Sequence, residues 1–121
     1  MVEKTFACSI EGLAAAQEFL ERHQGAPKPS IVLDEVASNL VRCSGATEFS
    51  VALDLTDDGL CMRFSDNGRA FDPTREIDAP DVTASLEDRK IGGLGMFMVR
   101  RLSKSVAYAR ENGRNILTIV V

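Results

Sequence analysis

The sequence lacks any long apolar run. Its 121 residues are 45% hydrophobic and 26% charged, and its apolar stretches are only a few residues long. A transmembrane helix needs about 20 consecutive apolar residues, so none is expected. Met1 to Thr5 show no basic start followed by an apolar stretch, so no secretory signal is expected either. This composition excludes a disordered tail, and the length fits a single domain over 1–121 with its own core.

Cysteine and positive charge are both scarce. Cys8, Cys43 and Cys61 are odd in number, lie far apart and form no C-x-x-C pair, which favours buried, reduced thiols in a cytoplasmic protein. The net charge of −4 comes from 14 basic and 18 acidic residues, which argues against broad electrostatic binding to nucleic acid. The lone His23 follows a helical stretch and is expected to be solvated near a helix end.

Hydrophobic periodicity predicts the order β-α-α-β-β-loop-α-β-β. Strands are expected over 3–8, 48–55, 60–65, 105–110 and 115–121, and helices over 10–24, 29–43 and 94–102. This order predicts an α+β two-layer sandwich, with a mixed, mostly antiparallel sheet and three helices on one face. Residues 67–92 show no periodicity, and a loop this long in a small domain is usually functional or mobile.

The second predicted helix carries a polar pair, Glu35 and Asn39, spaced four residues apart and therefore stacked on one side. One interpretation is a solvated face of an amphipathic helix. The other is a site in which the Asn39 oxygen binds a hard cation such as Mg²⁺ and Glu35 acts as a base beside it. The second interpretation requires phosphates nearby.

The segment Asp66-Asn67-Gly68 follows an apolar strand. It is ordinary turn chemistry. A partly buried Asp66 would nevertheless need a donor such as an adenine amino group, and Gly68 would let a flat ring approach the backbone. Phe71 is expected to anchor the loop by packing rather than to contact a ligand.

Three glycines, Gly92, Gly93 and Gly95, precede and open the third helix. Backbone N–H groups at a helix start bind anions, and glycines let phosphate oxygens reach them. The segment is neither a Walker A loop nor a Rossmann fingerprint, and a flexible loop end is the alternative. The residues of this helix expected in the core are Met96, Phe97, Val99 and Leu102.

Taken in order, these segments resemble the histidine-kinase-like ATPase superfamily that includes gyrase B, and within it the anti-sigma-factor serine kinases. Glu35-x-x-x-Asn39 is similar to the N box, and Asp66-x-Gly68-x-Ala70-Phe71-Asp72-Pro73 resembles the first glycine box. The stretch from Gly92 to Arg101 resembles the second glycine box, and the chain ending is also similar. The resemblance covers essentially the whole chain, although Cys43 stands where many relatives carry histidine.

The resemblance implies ATP bound with Mg²⁺ beneath a lid at about 74–91. Asn39 resembles the metal ligand, Glu35 the general base and Asp66 the adenine carboxylate. Further nucleotide-binding residues implied in this way are Gly68, Ala70, Lys90, Gly92, Gly93, Leu94, Gly95, Met96 and Thr118. Gly93 and Gly95 resemble the phosphate-contacting glycines, and Thr118 the threonine near the adenine.

The resemblance also implies an ATP-dependent serine/threonine-protein kinase that phosphorylates an anti-anti-sigma (STAS-domain) protein and sequesters a sigma factor. The alternative is a nucleotide-dependent module that binds a regulator without kinase activity. A two-component histidine kinase is not expected, because His23 lies in no dimerisation helix pair. Neither nucleic acid nor membrane is expected as a partner, and a homodimer is left open.

Overall fold

The computed structural model describes residues 1–76 and 93–121. The predicted order of strands and helices is confirmed, with boundaries that shift by one or two residues. The elements are β1 (Val2–Ala7), α1 (Ile10–His23), α2 (Pro27–Cys43), β2 (Glu48–Thr56), β3 (Gly59–Asp66), α3 (Gly93–Leu102), β4 (Ser105–Glu111) and β5 (Arg114–Val120), with a short 3₁₀ helix at Pro73–Glu76. The predicted lid, 74–91, lies mostly outside the described residues.

The five strands form one sheet in the order β1-β2-β3-β5-β4. All four strand pairings in the described part of the chain are antiparallel, so this sheet is simpler than the mixed one expected. The α+β two-layer sandwich is confirmed. β3 pairs on both sides, so Asp66 at its end is bracketed by Phe49 of β2 and Asn115 of β5.

One continuous core lies between the helices and the sheet. The sheet contributes Phe49 and Phe64, α2 contributes Leu33, and α3 contributes Met96 and Val99, all of them buried. Burying a side chain of this size contributes about 1.5–3 kcal/mol each, so the core fixes the helix layer on the sheet. The expected packing of Met96 is therefore confirmed.

The ends of the elements follow from local chemistry. Ser9 caps α1 as expected, with its Oγ accepting the N–H of Gly12 at 3.0 Å. α2 begins two residues earlier than expected, because Pro27 occupies its first turn, where proline is favoured. The β4–β5 turn places Asn112 at φ 52° and Gly113 at φ 75°, as a tight hairpin requires.

Gly12 allows α1 to start directly against the end of β1. A Cβ at this position would lie 1.7 Å from the carbonyl oxygen of Ala7. No side chain fits in that space, so the glycine sets the close approach between the two elements.

The structure bears on the expectations for the cysteines and for His23. The three cysteines are free, but each is only partly buried, so the expectation of buried thiols was too strong. His23 is exposed at the last residue of α1, as expected, with its ring edge-on to Phe19 at 4.9 Å. Among the helices of the described ranges, none is long and apolar enough to span a membrane.

Candidate functional site

A cavity of about 160 Å³ opens between α2 and the ends of β3, β4 and β5. Its lining is largely apolar, with a few polar groups. The apolar residues include Val36, Leu40, Phe64, Met96 and Leu117, and the polar ones include Asn39, Ser44, Asp66, Arg69, Tyr108 and Asn115. A mostly apolar wall with a few convergent polar groups is typical of a small-molecule site.

Asp66 ends β3 inside this cavity and is 4% exposed. Its Oδ1 accepts hydrogen bonds from the Gly68 N–H at 2.9 Å and from Asn115 Nδ2 at 3.1 Å. Both bonds end on the same oxygen, so within residues 1–76 and 93–121 Oδ2 has no protein donor. A buried aspartate whose second oxygen accepts no protein hydrogen bond there is suited to accept from a ligand amino group.

The turn after Asp66 is held tightly by backbone contacts. A Cβ on Gly68 would lie 2.7 Å from the Ser44 carbonyl oxygen and 2.9 Å from Asp66 Oδ1. The Arg69 N–H donates to the Ser44 carbonyl at 3.2 Å, and Arg110 Nη1 donates to the Gly68 carbonyl at 2.9 Å. Glycine is therefore required here by close packing against the end of α2.

Asn39 projects from α2 into the same cavity. Its Oδ1 is buried, and no donor among the described residues is within hydrogen-bond distance. An unsatisfied buried amide oxygen costs about 1–3 kcal/mol, which a ligand or a cation could recover. An amide oxygen is a ligand that Mg²⁺ accepts, so the residue fits that ion.

Few other metal ligands lie together in the part of the chain that the structure describes. No group of three or more His, Cys, Asp or Glu side chains that could hold a metal occurs in the described part of the chain. Mg²⁺ usually binds one or two protein oxygens and completes its shell with water and substrate phosphates. A single amide oxygen therefore suits a cation that is shared with a phosphorylated ligand.

Glu35 lies one helical turn before Asn39 and faces the start of α3. A Cβ on Gly95 would lie 2.1 Å from Glu35 Oε2, so the carboxylate packs directly against this glycine. Gly93 and Leu94 form the first residues of α3. The N–H groups of a first helical turn have no intrahelical acceptors and attract anions. Glu35 therefore lies beside a potential phosphate site.

Cys8 lies close to the Asp66 end of the cavity. Burial raises the pKa of its thiol, and the negative charge of Asp66 raises this pKa further, while a hydrogen bond with Ser44 lowers it. This contact could not be predicted from the sequence, because α1 and most of α2 separate Cys8 from the other residues of the site along the chain.

The structure places several predicted residues apart from the cavity. Thr118 pairs with Arg63 and Ala107 on the sheet face opposite Leu117, so it does not reach the cavity. Ala70 is exposed and is not part of the lining. Lys90 and Gly92 lie outside the described residues. 

Phe71 differs from its expected packing role. It is 47% exposed and lines the cavity, so it is a candidate ligand contact rather than a buried anchor of the loop.

Tyr108 and Asn115 are among the lining residues that sequence reasoning missed. Asn115 is 6% exposed and shares the core-facing side of β5 with Leu117 and Ile119. Ile116 and Val120 make the other face of β5 apolar as well, so the alternation of the strand alone did not identify Asn115 as a lining residue.

The chain is similar to known proteins over most of its length. Residues 10–121 match the family described as the histidine kinase-like ATPase domain. The chain is similar to the serine/threonine-protein kinase BtrW of Bordetella bronchiseptica, with 30% identity over 94 residues that cover 74% of this chain and 66% of that protein. It is also similar to the serine-protein kinase RsbW of Listeria monocytogenes and of Listeria innocua, in each case with 29% identity over 90% of this chain and 73% of the relative. The chain therefore belongs to the histidine kinase-like ATPase domain family.

Proposed function

We propose that this protein binds ATP with Mg²⁺ in the cavity and transfers the γ-phosphoryl group to a serine of a partner protein. The observation that carries the proposal is the placement of Glu35. Its carboxylate lies against Gly95 at the start of α3, and Asn39, whose buried oxygen has no donor within the described ranges, lies one helical turn further along α2. A base, a cation ligand and an anion-binding helix start are thus adjacent.

The adenine would bind at the Asp66 end. Its amino group would donate to Asp66 Oδ2, since Oδ1 already accepts two protein donors. The apolar walls from Val36, Leu40 and Met96 would enclose a flat ring. GTP carries an oxygen at the corresponding ring position, which would face the carboxylate and weaken binding.

The phosphates would extend from the adenine towards α3. The N–H groups of its first turn would bind them, and Asn39 would supply the protein oxygen to the metal. When bound, Mg²⁺ neutralises charge that develops on the phosphate oxygens during transfer.

Glu35 would act on the partner's serine hydroxyl. Its carboxylate accepts the hydroxyl proton while the serine oxygen forms a bond to the γ-phosphorus, and the bond from that phosphorus to the ADP oxygen breaks. Positioning and charge stabilisation supply most of the rate in such a reaction, which a domain of this size can provide.

The proposed partner is an anti-anti-sigma (STAS-domain) protein, with a sigma factor bound in its place when the serine is phosphorylated. The support is the resemblance of the three motifs, together with relatives that are named serine-protein kinases. A phosphoserine adds roughly −1.5 to −2 charges, which would repel the phosphorylated partner from an acidic protein of net charge −4.

Phosphoryl transfer tests the proposal directly. The protein would be incubated with Mg-ATP and a STAS-domain protein from the same organism, and phosphoserine would be measured by mass spectrometry. Glu35→Ala should abolish transfer and leave ATP binding within about threefold, because a base is needed only in the reaction. Asp34→Ala removes the neighbouring, exposed carboxylate and should have no effect. Transfer that survives Glu35→Ala would refute the role of Glu35, and ATP binding without transfer would favour the module without kinase activity.

The cation role of Asn39 has a separate test. Asn39→Ala should remove the gain in ATP affinity that Mg²⁺ confers, while affinity in EDTA stays as in the unmodified protein. Titration calorimetry with and without Mg²⁺ measures both. An Asn39→Ala protein that still gains affinity from Mg²⁺ would show that the ligand is elsewhere.

A further inference from the structure

The side-chain amide of Asn115 lies at the centre of a buried hydrogen-bond network. Its Nδ2 donates to Asp66 Oδ1 at 3.1 Å and to the Arg69 carbonyl at 2.8 Å. Its Oδ1 accepts from the Tyr108 hydroxyl at 2.5 Å and from the Phe71 N–H at 3.3 Å. All of its donors and acceptors therefore have partners, and it joins β4, β5 and the turn after β3.

The backbone groups of this network fix the orientation of the amide. The Arg69 carbonyl can only accept, and the Phe71 N–H can only donate. The Asn115 oxygen must therefore face Phe71, and its nitrogen must face Arg69 and Asp66. It follows that the Tyr108 hydroxyl donates to Asn115, which leaves no alternative arrangement of the amide.

This fixed amide determines which oxygen of Asp66 is available. The Asn115 donor and the Gly68 N–H both bind Oδ1, so among residues 1–76 and 93–121 no protein donor occupies Oδ2, which can accept from a ligand. We infer that Asn115 and Tyr108 are positioning residues that make the cavity specific for a purine with an amino group on its six-membered ring. The inference rests on the proposed function and names residues that determine its base specificity.

Asn115 and Tyr108 should affect the orientation of Asp66 to different extents. Asn115 contacts Asp66 directly, whereas Tyr108 acts only through the amide of Asn115. Loss of the tyrosine hydroxyl leaves the two backbone bonds to the amide in place. Replacement of Asn115 should therefore affect base specificity more than replacement of Tyr108.

The experiment compares two nucleotides by titration calorimetry with Mg²⁺. ATP carries the amino group, and purine riboside 5′-triphosphate lacks it but keeps the ring and the phosphates. The unmodified protein should bind ATP more tightly. Asn115→Ala removes a hydrogen bond to Asp66 and should lower the ratio of the ATP affinity to the purine nucleotide affinity by about tenfold. Tyr108→Phe only weakens the hold on the Asn115 amide and should lower the same ratio by about threefold. Affinity for the purine nucleotide should stay nearly constant.

Asn67→Ala is the matched control. Asn67 follows Asp66 directly, but its amide bonds Thr47 and the Glu48 N–H, and it does not line the cavity. Its replacement should leave the affinity ratio unchanged.

Two results would overturn the inference, and they are distinguishable. If Asn115→Ala and Tyr108→Phe weaken both nucleotides equally, the network is only structural and the proposed function stands. If the unmodified protein does not distinguish the nucleotides, the adenine role of Asp66 fails, and this inference fails with it. Tyr108→Phe keeps the packed ring, so it carries the test if Asn115→Ala does not fold.

Discussion

Gly95→Ala is a substitution that should separate catalysis from stability. The new Cβ would lie 2.1 Å from Glu35 Oε2 and 3.1 Å from its Cδ. Ordinary contact begins at 3.4 Å, so the carboxylate oxygen must retreat by about 1 Å or more. The atoms that must move lie at the end of a flexible side chain, so the helix backbone can stay where it is.

Gly95→Ala should preserve or raise the free energy of unfolding and should lower the rate of phosphoryl transfer. Alanine is favoured over glycine within a helix by up to about 1 kcal/mol, so the free energy of unfolding should stay the same or rise. A reacting group displaced by about 1 Å can cost about 100-fold in rate. We therefore expect phosphoserine formation to fall by about 10- to 100-fold in a protein that is at least as stable.

The assay is phosphoserine formation at saturating Mg-ATP, with thermal unfolding measured in parallel. Gly25→Ala is the control glycine, because a Cβ there would have no atom within 4 Å. Transfer is already abolished in Glu35→Ala, so in that background the measured quantity is ATP affinity, which Gly95→Ala should leave unchanged because the added methyl group no longer meets a carboxylate. A loss of ATP affinity there would show that the alanine disturbs phosphate binding instead. An unchanged rate of phosphoserine formation in Gly95→Ala alone would refute the placement of Glu35 as the base.

Two further substitutions test local features away from the phosphate end. Gly12→Ala should lower the free energy of unfolding by about 2 kcal/mol or more, because its Cβ would meet the backbone carbonyl of Ala7 at 1.7 Å. Denaturant unfolding measures this change. A loss below about 0.5 kcal/mol would contradict the close approach of α1 and β1. Burial and the charge of Asp66 raise the pKa of the Cys8 thiol, so its alkylation by iodoacetamide at pH 8, in a protein with serine at the other two cysteines, should be slow. Asp66→Asn should accelerate this reaction by removing the charge, and an unchanged rate would argue against their electrostatic contact.

The overall architecture was predictable because its signals are local. Alternating apolar residues marked the strands, Ser9 marked the start of α1, and Asn112-Gly113 marked the last turn. The four-residue spacing of Glu35 and Asn39 likewise needed only the geometry of one helix.

The base end of the site was less predictable because it depends on which strand face meets the helices. β5 carries apolar residues on both faces: Ile116 and Val120 on one, and Leu117 and Ile119 on the other. Alternation therefore did not show which face was internal, and Thr118 could be expected at the adenine. The pairing of Asp66 with Asn115 is a contact across 49 positions, which no local pattern encodes.

Because β3 lies in the middle of the sheet, the Asp66 end of the site should be locally more stable than the end formed by the start of α3. Asp66 ends a strand that is laddered on both sides, so opening this region would break bonds to β2 and β5 together. α3 is outside the sheet and packs on α2, so its first turn can shift without breaking a ladder. Amide exchange should accordingly be slower at the carboxylate end than at the glycine end. The base would then be selected by a preformed part of the site, and adjustment to the reacting phosphates would be confined to the first turn of α3.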